Sequence, residues 1–147
     1  MARLWGTLIT STTYGTWLRG DARGWVERGE IKPPEPTLEA ADRAQLKFPP
    51  FRFAETELTP VRDAISLAIQ ARRDTKVLAI TVQTWHVHVV IGESLASIPA
   101  VVKCLKDAAR WHLRLDRPIW TTGYDKRYCF DERSLLARIA YVERHNH

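Results

Sequence analysis

Alternating apolar residues predict two strands in the middle of the chain. The run from Lys76 to Ile91 is rich in valine, isoleucine and threonine, a composition typical of strands and poor for a surface helix. It is too long for one typical strand. A polar break near Gln83 and Thr84 therefore predicts two strands, one on each side of it.

The second of these strands has two different faces. Successive side chains on a strand point to opposite sides, so His86 and His88 share one face while Val87, Val89 and Ile91 share the other. The apolar face is expected to turn toward a core. Two neighbouring imidazoles can chelate a divalent cation, and the alternative is a chance pair of exposed histidines.

Three amphipathic stretches predict helices, each preceded by a residue that can cap a helix. The capping residues are Thr59, with Pro60 in the first helical position, Ser97, with Pro99 in the first turn, and Asp131. The positions expected to face the core are Val61, Ile65, Ala68 and Ile69 in the first helix, Ile98, Val101, Val102, Leu105, Ala108 and Trp111 in the second, and Leu135, Leu136 and Ile139 in the last.

A strand over residues 4–12 and a short strand over 127–130 complete the pattern. The regular elements then follow the β-α-β-β-α-β order of a ferredoxin-like (RRM-like) fold. We expect an α+β architecture, with an antiparallel sheet, helices on one face and an additional C-terminal helix. Residues 1–147 form one predicted domain. Residues 30–58 are a proline-rich insertion loop, with at most a short helix over 37–46.

Composition narrows the class of protein. Hydrophobic residues are 45% and charged residues 27% of the 147 residues, as in a soluble globular domain. No apolar run is long enough for a membrane span, and the N-terminus lacks the features of a signal peptide. Cys104 and Cys129 are far apart, which favours two reduced thiols in a cytoplasmic protein. The net charge of +5 favours a polyanionic partner such as nucleic acid.

The loop after the first strand combines aromatic residues, arginines and glycines. Aromatic rings such as that of Tyr14 can stack on unpaired bases, while Arg19 and Arg23 can contact phosphates. The alternative is that Trp17 and Trp25 simply anchor a long loop on the core.

The second predicted helix carries a row of basic residues. Their spacing of three and four positions sets them on one face of the helix. Such a face usually stays in water, but beside a phosphate-binding site it would follow a nucleic-acid backbone. The row consists of Lys103, Lys106, Arg110 and Arg114.

The last predicted helix carries two further candidate site residues. Tyr141 and His145 are four residues apart and share one helix face. If this helix lies across the exposed face of the sheet, His145 becomes a third metal ligand beside His86 and His88. A bound cation would polarise a phosphodiester, and Tyr141 would attack it to form a covalent phosphotyrosine. The alternative for Tyr141 is a ring packed in the core.

With these residues assembled, the chain resembles the single-tyrosine HUH transposases, particularly the REP-associated tyrosine transposase (RAYT) branch. In the HUH motif two histidines flank a bulky hydrophobe, as they do in His86-Val87-His88. Three further stretches match in kind and in order. They are TTYGTWL at 12–18, the segment from WTTGY at 120–124 through Arg127 to 131–132, and IAYV at 139–142.

The resemblance implies metal-dependent cleavage and joining of single-stranded DNA, often beside hairpins, in DNA transposition. It implies that His86 and His88 bind Mg²⁺ or Mn²⁺ and that Tyr141 attacks the DNA. The position four beyond the tyrosine, commonly Asn or Gln in the family, would supply a third ligand and is His145 here. Arg127, in a matched segment, joins the residues expected to contact nucleic acid. Relatives work as monomers or as dimers, which leaves a homodimer open.

Two other functions stay open at this point. One is a non-catalytic module that binds single-stranded nucleic acid and derives from such a transposase. The other is a small metal-dependent phosphodiesterase that uses water instead of tyrosine. Metal-dependent covalent attachment to DNA distinguishes the transposase from both.

Overall fold

A four-stranded antiparallel sheet organises the protein, seen in a computed structural model that describes residues 3–146. A separate two-stranded hairpin lies in the loop after the first strand. In chain order the elements are β1 (Gly6–Thr12), β2 (Trp25–Glu27), β3 (Glu30–Lys32), α1 (Pro36–Ala44), α2 (Leu58–Arg73), β4 (Val77–Val82), β5 (His86–Gly92), α3 (Ile98–Leu113), β6 (Asp125–Cys129) and α4 (Glu132–Glu143).

The order of strands in the main sheet is β4-β5-β1-β6, with every neighbouring pair antiparallel. Because α2 connects β1 to β4 and α3 connects β5 to β6, the connectivity is that of a ferredoxin-like fold. The predicted α+β class is confirmed. The polar break is confirmed too, since β4 ends at Val82 and β5 begins at His86. The turn between them is closed by the Gln83 N–H, which donates to the His86 carbonyl at 2.9 Å.

The main core lies between one face of the sheet and the helices α2 and α3. Val87, Val89 and Ile91 point into it from β5, as their alternation predicted, and Ile9 joins them from β1. Burial of this branched apolar surface is the main source of stability for the sheet. The helices contribute the buried residues Val61, Ile65 and Ile69 from α2 and Val101, Val102, Cys104, Leu105 and Ala109 from α3.

The opposite face of the sheet is partly covered by α4. Leu135 and Val142 are seven residues apart, two helical turns, and pack together against Leu8 and Val90 of the inner strands. The C-terminal helix therefore lies on the same side of the sheet as His88. Its placement brings the residues of α4 that follow Leu135 toward the histidine pair.

Several helix details differ from the sequence predictions. Trp111 is 73% exposed and Leu136 57% exposed, although both were expected to face the core. At 3.6 residues per turn, Leu136 points well away from the buried stripe of α4, whereas Val142 falls on it. Trp111 lies in the last turn of α3, beyond Ala109, the last buried residue of that helix. Thr59 does not cap α2, because a 3₁₀ turn at Glu55–Glu57 leads directly into the helix. No helix within residues 3–146 is long and apolar enough to cross a membrane.

The segment 30–58 is more ordered than the predicted loop. It contains β3, the helix α1 and the 3₁₀ turn, and two of its three phenylalanines, Phe51 and Phe53, are buried in the main core. Backbone hydrogen bonds connect it to the rest of the fold: the Phe51 N–H donates to the Tyr14 carbonyl at 2.8 Å, and the Phe53 N–H to the Thr84 carbonyl at 2.7 Å. The insertion therefore packs against the loop after β1 and against the turn before β5.

Gly6→Ala should destabilise the fold because the new methyl group would meet other atoms. A Cβ at Gly6 would lie 2.6 Å from the Ile91 carbonyl oxygen and 2.7 Å from Cδ1 of Leu135, the residue that anchors α4. We expect the free energy of unfolding to fall by roughly 1–3 kcal/mol, as for overpacked cores. Urea denaturation followed by circular dichroism measures this change.

The matched control is Gly92, which pairs with Gly6 across the two inner strands. A Cβ there would meet its nearest atoms only at 3.8 Å, an ordinary contact distance. Gly92→Ala should therefore unfold close to the wild-type midpoint. Equal midpoints for the two variants would contradict the close packing of α4 on β1.

Candidate active site

The two histidines of β5 lie side by side on the face of the sheet that α4 partly covers. Their ring centroids are 4.6 Å apart, and their neighbours on β1 are Thr12 and Thr10. His86 is buried and His88 is half-buried. The shared face follows from the strand alternation, as predicted.

Hydrogen bonding orients one ring and leaves the other unpaired. The Thr10 hydroxyl lies 2.8 Å from Nδ1 of His88, which fixes that ring and leaves its Nε2 for another partner. The Nδ1 atom of His86 is buried without a hydrogen bond to any described residue. A buried nitrogen without a hydrogen-bond partner lowers the stability of the fold unless another group binds it. The pair is therefore suited to binding a group from outside the chain.

Both imidazoles are neutral at physiological pH. Burial lowers the pKa of His86 to about 4, and the proximity of His88, His145 and Arg23 acts in the same direction. Burial also lowers the pKa of His88 to about 4, with His145 adding to the shift and Asp125 opposing it. A neutral imidazole has a lone pair to donate to a metal, so neither ring must lose a proton before binding one.

Acidification from pH 6.5 toward 4 should destabilise the protein through these two histidines. In the unfolded chain each ring has a pKa near 6.5, whereas in the fold both values are about 4. Between these values the unfolded state binds protons that the folded state does not. As the pH falls, the free energy of unfolding should therefore fall as well, by at most about 1.4 kcal/mol per pH unit for each ring. Thermal unfolding between pH 7.5 and 4.5 measures this slope.

Two glutamine variants provide the comparison. His88→Gln cannot take up a proton, so its melting temperature should decline less steeply across this window than that of the wild type. His112→Gln, at an exposed position of α3, is the control for the same substitution away from the histidine pair. Three identical slopes would show that the histidines of β5 do not titrate as inferred.

Tyr141 and His145 complete the cluster from the C-terminal helix. The Tyr141 ring lies 5.6 Å from the His88 ring and 4.6 Å from the His145 ring, centroid to centroid. Nδ1 of His145 lies 2.7 Å from the Tyr141 carbonyl oxygen. The Tyr141 side chain is 38% exposed, so the alternative of a ring buried in the core does not hold.

The cluster is not a preformed three-ligand metal site. Within residues 3–146, no three His, Cys, Asp or Glu side chains are arranged so that they could hold a metal ion. His145 has its ring centroid 5.8 Å from that of His88 and uses Nδ1 toward the Tyr141 carbonyl. Of the three predicted metal ligands, His86 and His88 therefore lie side by side. The role of His145 as the third ligand stays a prediction.

Arg23 is a predicted nucleic-acid contact that the structure brings close to the histidines. Its guanidinium stacks on Trp17 and Trp85, with 3.9 and 4.8 Å from Cζ to the ring centroids, and pairs with Asp21 at 2.7 Å. Trp85 in turn packs against the His86 ring at 4.1 Å between centroids. Trp85 directly precedes the His86-Val87-His88 motif, and no sequence signal indicated that it connects the loop to the site.

The other loop residues are held by the insertion. The Tyr14 hydroxyl accepts a hydrogen bond from the Lys47 N–H at 3.1 Å. Arg19 donates twice to the Asp42 carboxylate, at 2.8 and 2.7 Å, and this carboxylate raises the pKa of the guanidinium. Trp25 is buried, as the anchoring alternative supposed. Tyr14 and Arg19 are thus bound to the insertion.

The basic row of α3 lies on the other side of the sheet from the histidines, because α3 packs on the face that Val87 occupies. Lys103 pairs with Asp107 at 2.7 Å, and Arg110 is exposed. Lys106 is half-buried and donates to two backbone carbonyls at 3.0 and 2.8 Å, and burial lowers its pKa. The structure therefore does not bring this row into the site.

Arg127 and Asp125 border the site from β6. Both lie on the histidine face, because their partners on β1 are Leu8 and Thr10. The Arg127 Nε donates to the Asp125 carboxylate at 3.3 Å. Asp125 was missed by the sequence analysis, although its position two residues before Arg127 on a strand sets it on the same face.

The fold is similar to that of a solved transposase. The structure of a REP-associated tyrosine transposase bound to a REP hairpin aligns with 97% of this chain and 67% of its own, with a TM-score of 0.55 and 13% sequence identity. The chain has a transposase-like fold. A transposase-type protein from Deinococcus radiodurans aligns with 99% of the chain and 94% of its own, with a TM-score of 0.49 and 16% identity. No protein-family model and no curated protein matches the sequence.

Proposed function

We propose that this protein is a metal-dependent transposase that cleaves and rejoins single-stranded DNA through a covalent 5′-phosphotyrosine. The observation that carries the proposal is the position of the Tyr141 ring, 5.6 Å from that of His88 and half-exposed to an incoming strand. A phenol beside two neutral imidazoles supplies a nucleophile and a pair of metal ligands on one surface. The transposase-like fold supports the same function.

Tyr141 acts as the nucleophile in this mechanism. Its phenolic oxygen attacks the scissile phosphorus as the bond from phosphorus to the 3′ oxygen breaks, and the departing strand leaves with a free 3′-hydroxyl. The proton lost by the phenol balances the proton gained by that hydroxyl. Because the phosphodiester linkage is conserved in phosphotyrosine, a 3′-hydroxyl can attack it in reverse and join strands without a nucleotide cofactor.

His86 and His88 would hold the metal ion, Mg²⁺ or Mn²⁺, with His145 as a third ligand once its ring turns from the Tyr141 carbonyl. Two observations fit this role: both rings are neutral, and Nδ1 of His86 is buried without a partner. When bound, the ion would supply Lewis acidity at the scissile phosphate. Thr10 keeps the ring of His88 in a fixed orientation through its 2.8 Å contact.

The proposed substrate is single-stranded DNA, including strands that flank a hairpin. A solved protein of similar fold was captured with a REP hairpin. Near the histidines, the guanidinium of Arg23 is half-exposed and could meet a phosphate, as could that of Arg127. The net charge of +5 favours association with a polyanion.

The experiment that tests the proposal incubates the protein with labelled single-stranded DNA taken from the flanks of its own gene. Parallel reactions contain Mn²⁺, Mg²⁺ or EDTA, and the same sequence as a duplex is included as a control. A denaturing gel is then read for a labelled band that migrates with the protein. We expect that band with metal and single-stranded DNA, and no band with EDTA.

Two results would overturn the proposal. Binding of single-stranded DNA without cleavage in any metal would identify a non-catalytic nucleic-acid-binding module. Metal-dependent cleavage without a covalent band would identify a phosphodiesterase that uses water as its nucleophile.

A further inference from the structure

The helix that carries Tyr141 has few apolar contacts to fix its position. Only Leu135 and Val142 of α4 are buried, and the adjoining Leu136 is exposed. Along its 12 residues the apolar stripe is narrow, so burial fixes this helix mainly through those two side chains. Polar contacts at its C-terminal end are therefore needed to fix where the Tyr141 ring lies over the sheet.

These contacts come from the edge strand β4 and the turn after it. The side-chain amide of Gln83 donates from Nε2 to the carbonyl of His145 and to the Thr81 hydroxyl, the latter at 2.9 Å. The Thr81 hydroxyl lies 3.3 Å from the same carbonyl. In the opposite direction, Nδ2 of Asn146 donates to the Ile80 carbonyl at 3.0 Å. We call Ile80, Thr81 and Gln83 with their two partners the β4 clamp.

The β4 clamp satisfies groups that would otherwise lack partners. The carbonyl of His145 lies beyond the end of α4, where no N–H of the helix can donate to it, and an edge strand has backbone groups with no neighbouring strand. Simple capping of these two elements would explain the contacts without any role in chemistry. The clamped residue is His145, however, and its contact with Tyr141 indicates a role in positioning that nucleophile.

The residue that Gln83 holds by its main chain is also the residue whose ring touches the nucleophile. Nδ1 of His145 is 2.7 Å from the Tyr141 carbonyl, and the two rings are 4.6 Å apart. Gln83 itself follows Thr81 on the histidine face, and its N–H bonds to the carbonyl of His86. One residue thus connects the first histidine of the motif, through its backbone N–H, to the end of the tyrosine helix, through its side chain.

We infer that Gln83 is a positioning residue, which sets the distance between the Tyr141 hydroxyl and the histidine pair by clamping the end of α4 to β4. This inference rests on the proposed function for its catalytic consequence. A reacting pair held wrongly by about 1 Å loses on the order of 100-fold in rate. Loss of the clamp should therefore slow the attack by Tyr141 without changing how DNA binds.

Two substitutions at Gln83 test the inference. Gln83→Met keeps the length of the side chain and removes the donor, and Gln83→Glu places a carboxylate against the His145 carbonyl. Gln70→Glu, at an exposed position of α2, is the control for the same chemical change away from the clamp. Each variant is measured for the single-turnover rate of adduct formation, for DNA affinity, and for hydrogen exchange of the Arg144 and His145 amides.

We expect both Gln83 variants to form the adduct about 10- to 100-fold more slowly, with DNA affinity and melting temperature close to wild type. Their Arg144 and His145 amides should exchange faster, while Gln70→Glu should match the wild type in every measurement. Unchanged exchange, or faster exchange with an unchanged rate, would overturn the positioning role. If the wild-type protein forms no adduct, the proposed function fails, whereas the exchange data alone still show whether Gln83 holds the helix end.

Discussion

Tyr141→Phe should eliminate the covalent protein–DNA band and lower cleavage by about 10³-fold or more, as expected when a nucleophile is removed. The substitution deletes one oxygen and keeps the ring, so the contacts of that ring with His88 and His145 should persist. Single-turnover reactions with labelled single-stranded DNA and Mn²⁺, resolved on a denaturing gel, measure both quantities. The free energy of unfolding should change little, because the side chain is 38% exposed.

The matched control is Tyr124→Phe. Tyr124 is 37% exposed, nearly the same as Tyr141, and it lies in the segment before β6. This variant should form the covalent band at the wild-type rate. Full cleavage by Tyr141→Phe would show that the tyrosine is not the nucleophile and would favour attack by water.

The DNA affinity of the Tyr141→Phe variant distinguishes a role of the tyrosine in the chemical step from a role in DNA recognition. If Tyr141 acts only in the chemical step, the Phe variant should bind single-stranded DNA with the affinity of the wild type. A parallel loss of affinity and cleavage would instead assign the ring to base stacking. The comparison needs one salt concentration throughout, because contacts to phosphates weaken steeply as salt rises.

The sequence was most informative where a single periodicity determined the structure. In β5, the alternation of histidine and valine predicted both faces of the strand, because only one register buries the valines. The helix caps at Ser97 and Asp131 were also predictable from nearby residues. Each side chain accepts a hydrogen bond from the backbone N–H three residues later. Such features depend on neighbours in the chain and need no knowledge of the tertiary fold.

Features that depend on packing between distant segments were less predictable. Two phenylalanines of the insertion, Phe51 and Phe53, are buried in the main core although their surroundings are rich in proline and charge. Trp111 is apolar but lies in the last turn of α3, where both it and the neighbouring His112 are exposed. The composition of a segment does not reveal which neighbour will cover it.

The predicted nucleic-acid contacts illustrate the same limit. Arg19 and Arg23 lie four residues apart in one loop and were indistinguishable by sequence. In the fold, Asp42 of α1 holds Arg19 in the insertion, whereas Trp85 holds Arg23 beside His86. The partners that separate their roles are remote in sequence. The histidine cluster has the same property, because Tyr141 reaches His88 only through the packing of α4 on the sheet.

Replacing both histidines, His86→Ala with His88→Ala, should abolish the metal-dependent part of cleavage, a loss of at least about 10³-fold. The double variant removes both neutral imidazoles from the sheet face, so Mn²⁺ binding measured by calorimetry without DNA should disappear as well. His112→Ala is the control, since this exposed histidine of α3 lies away from the cluster. Circular dichroism must show a folded double variant before its loss of activity is interpreted.

The two measurements in this experiment separate the proposed roles of the histidine pair. Loss of Mn²⁺ binding together with cleavage would support a metal held by the pair, because both effects follow from removing the same ligands. Retained Mn²⁺ binding with lost cleavage would contradict that role and indicate that other residues bind the metal. Retained cleavage would refute the site itself, since no reaction that depends on the face beside Tyr141 could survive the loss of both rings.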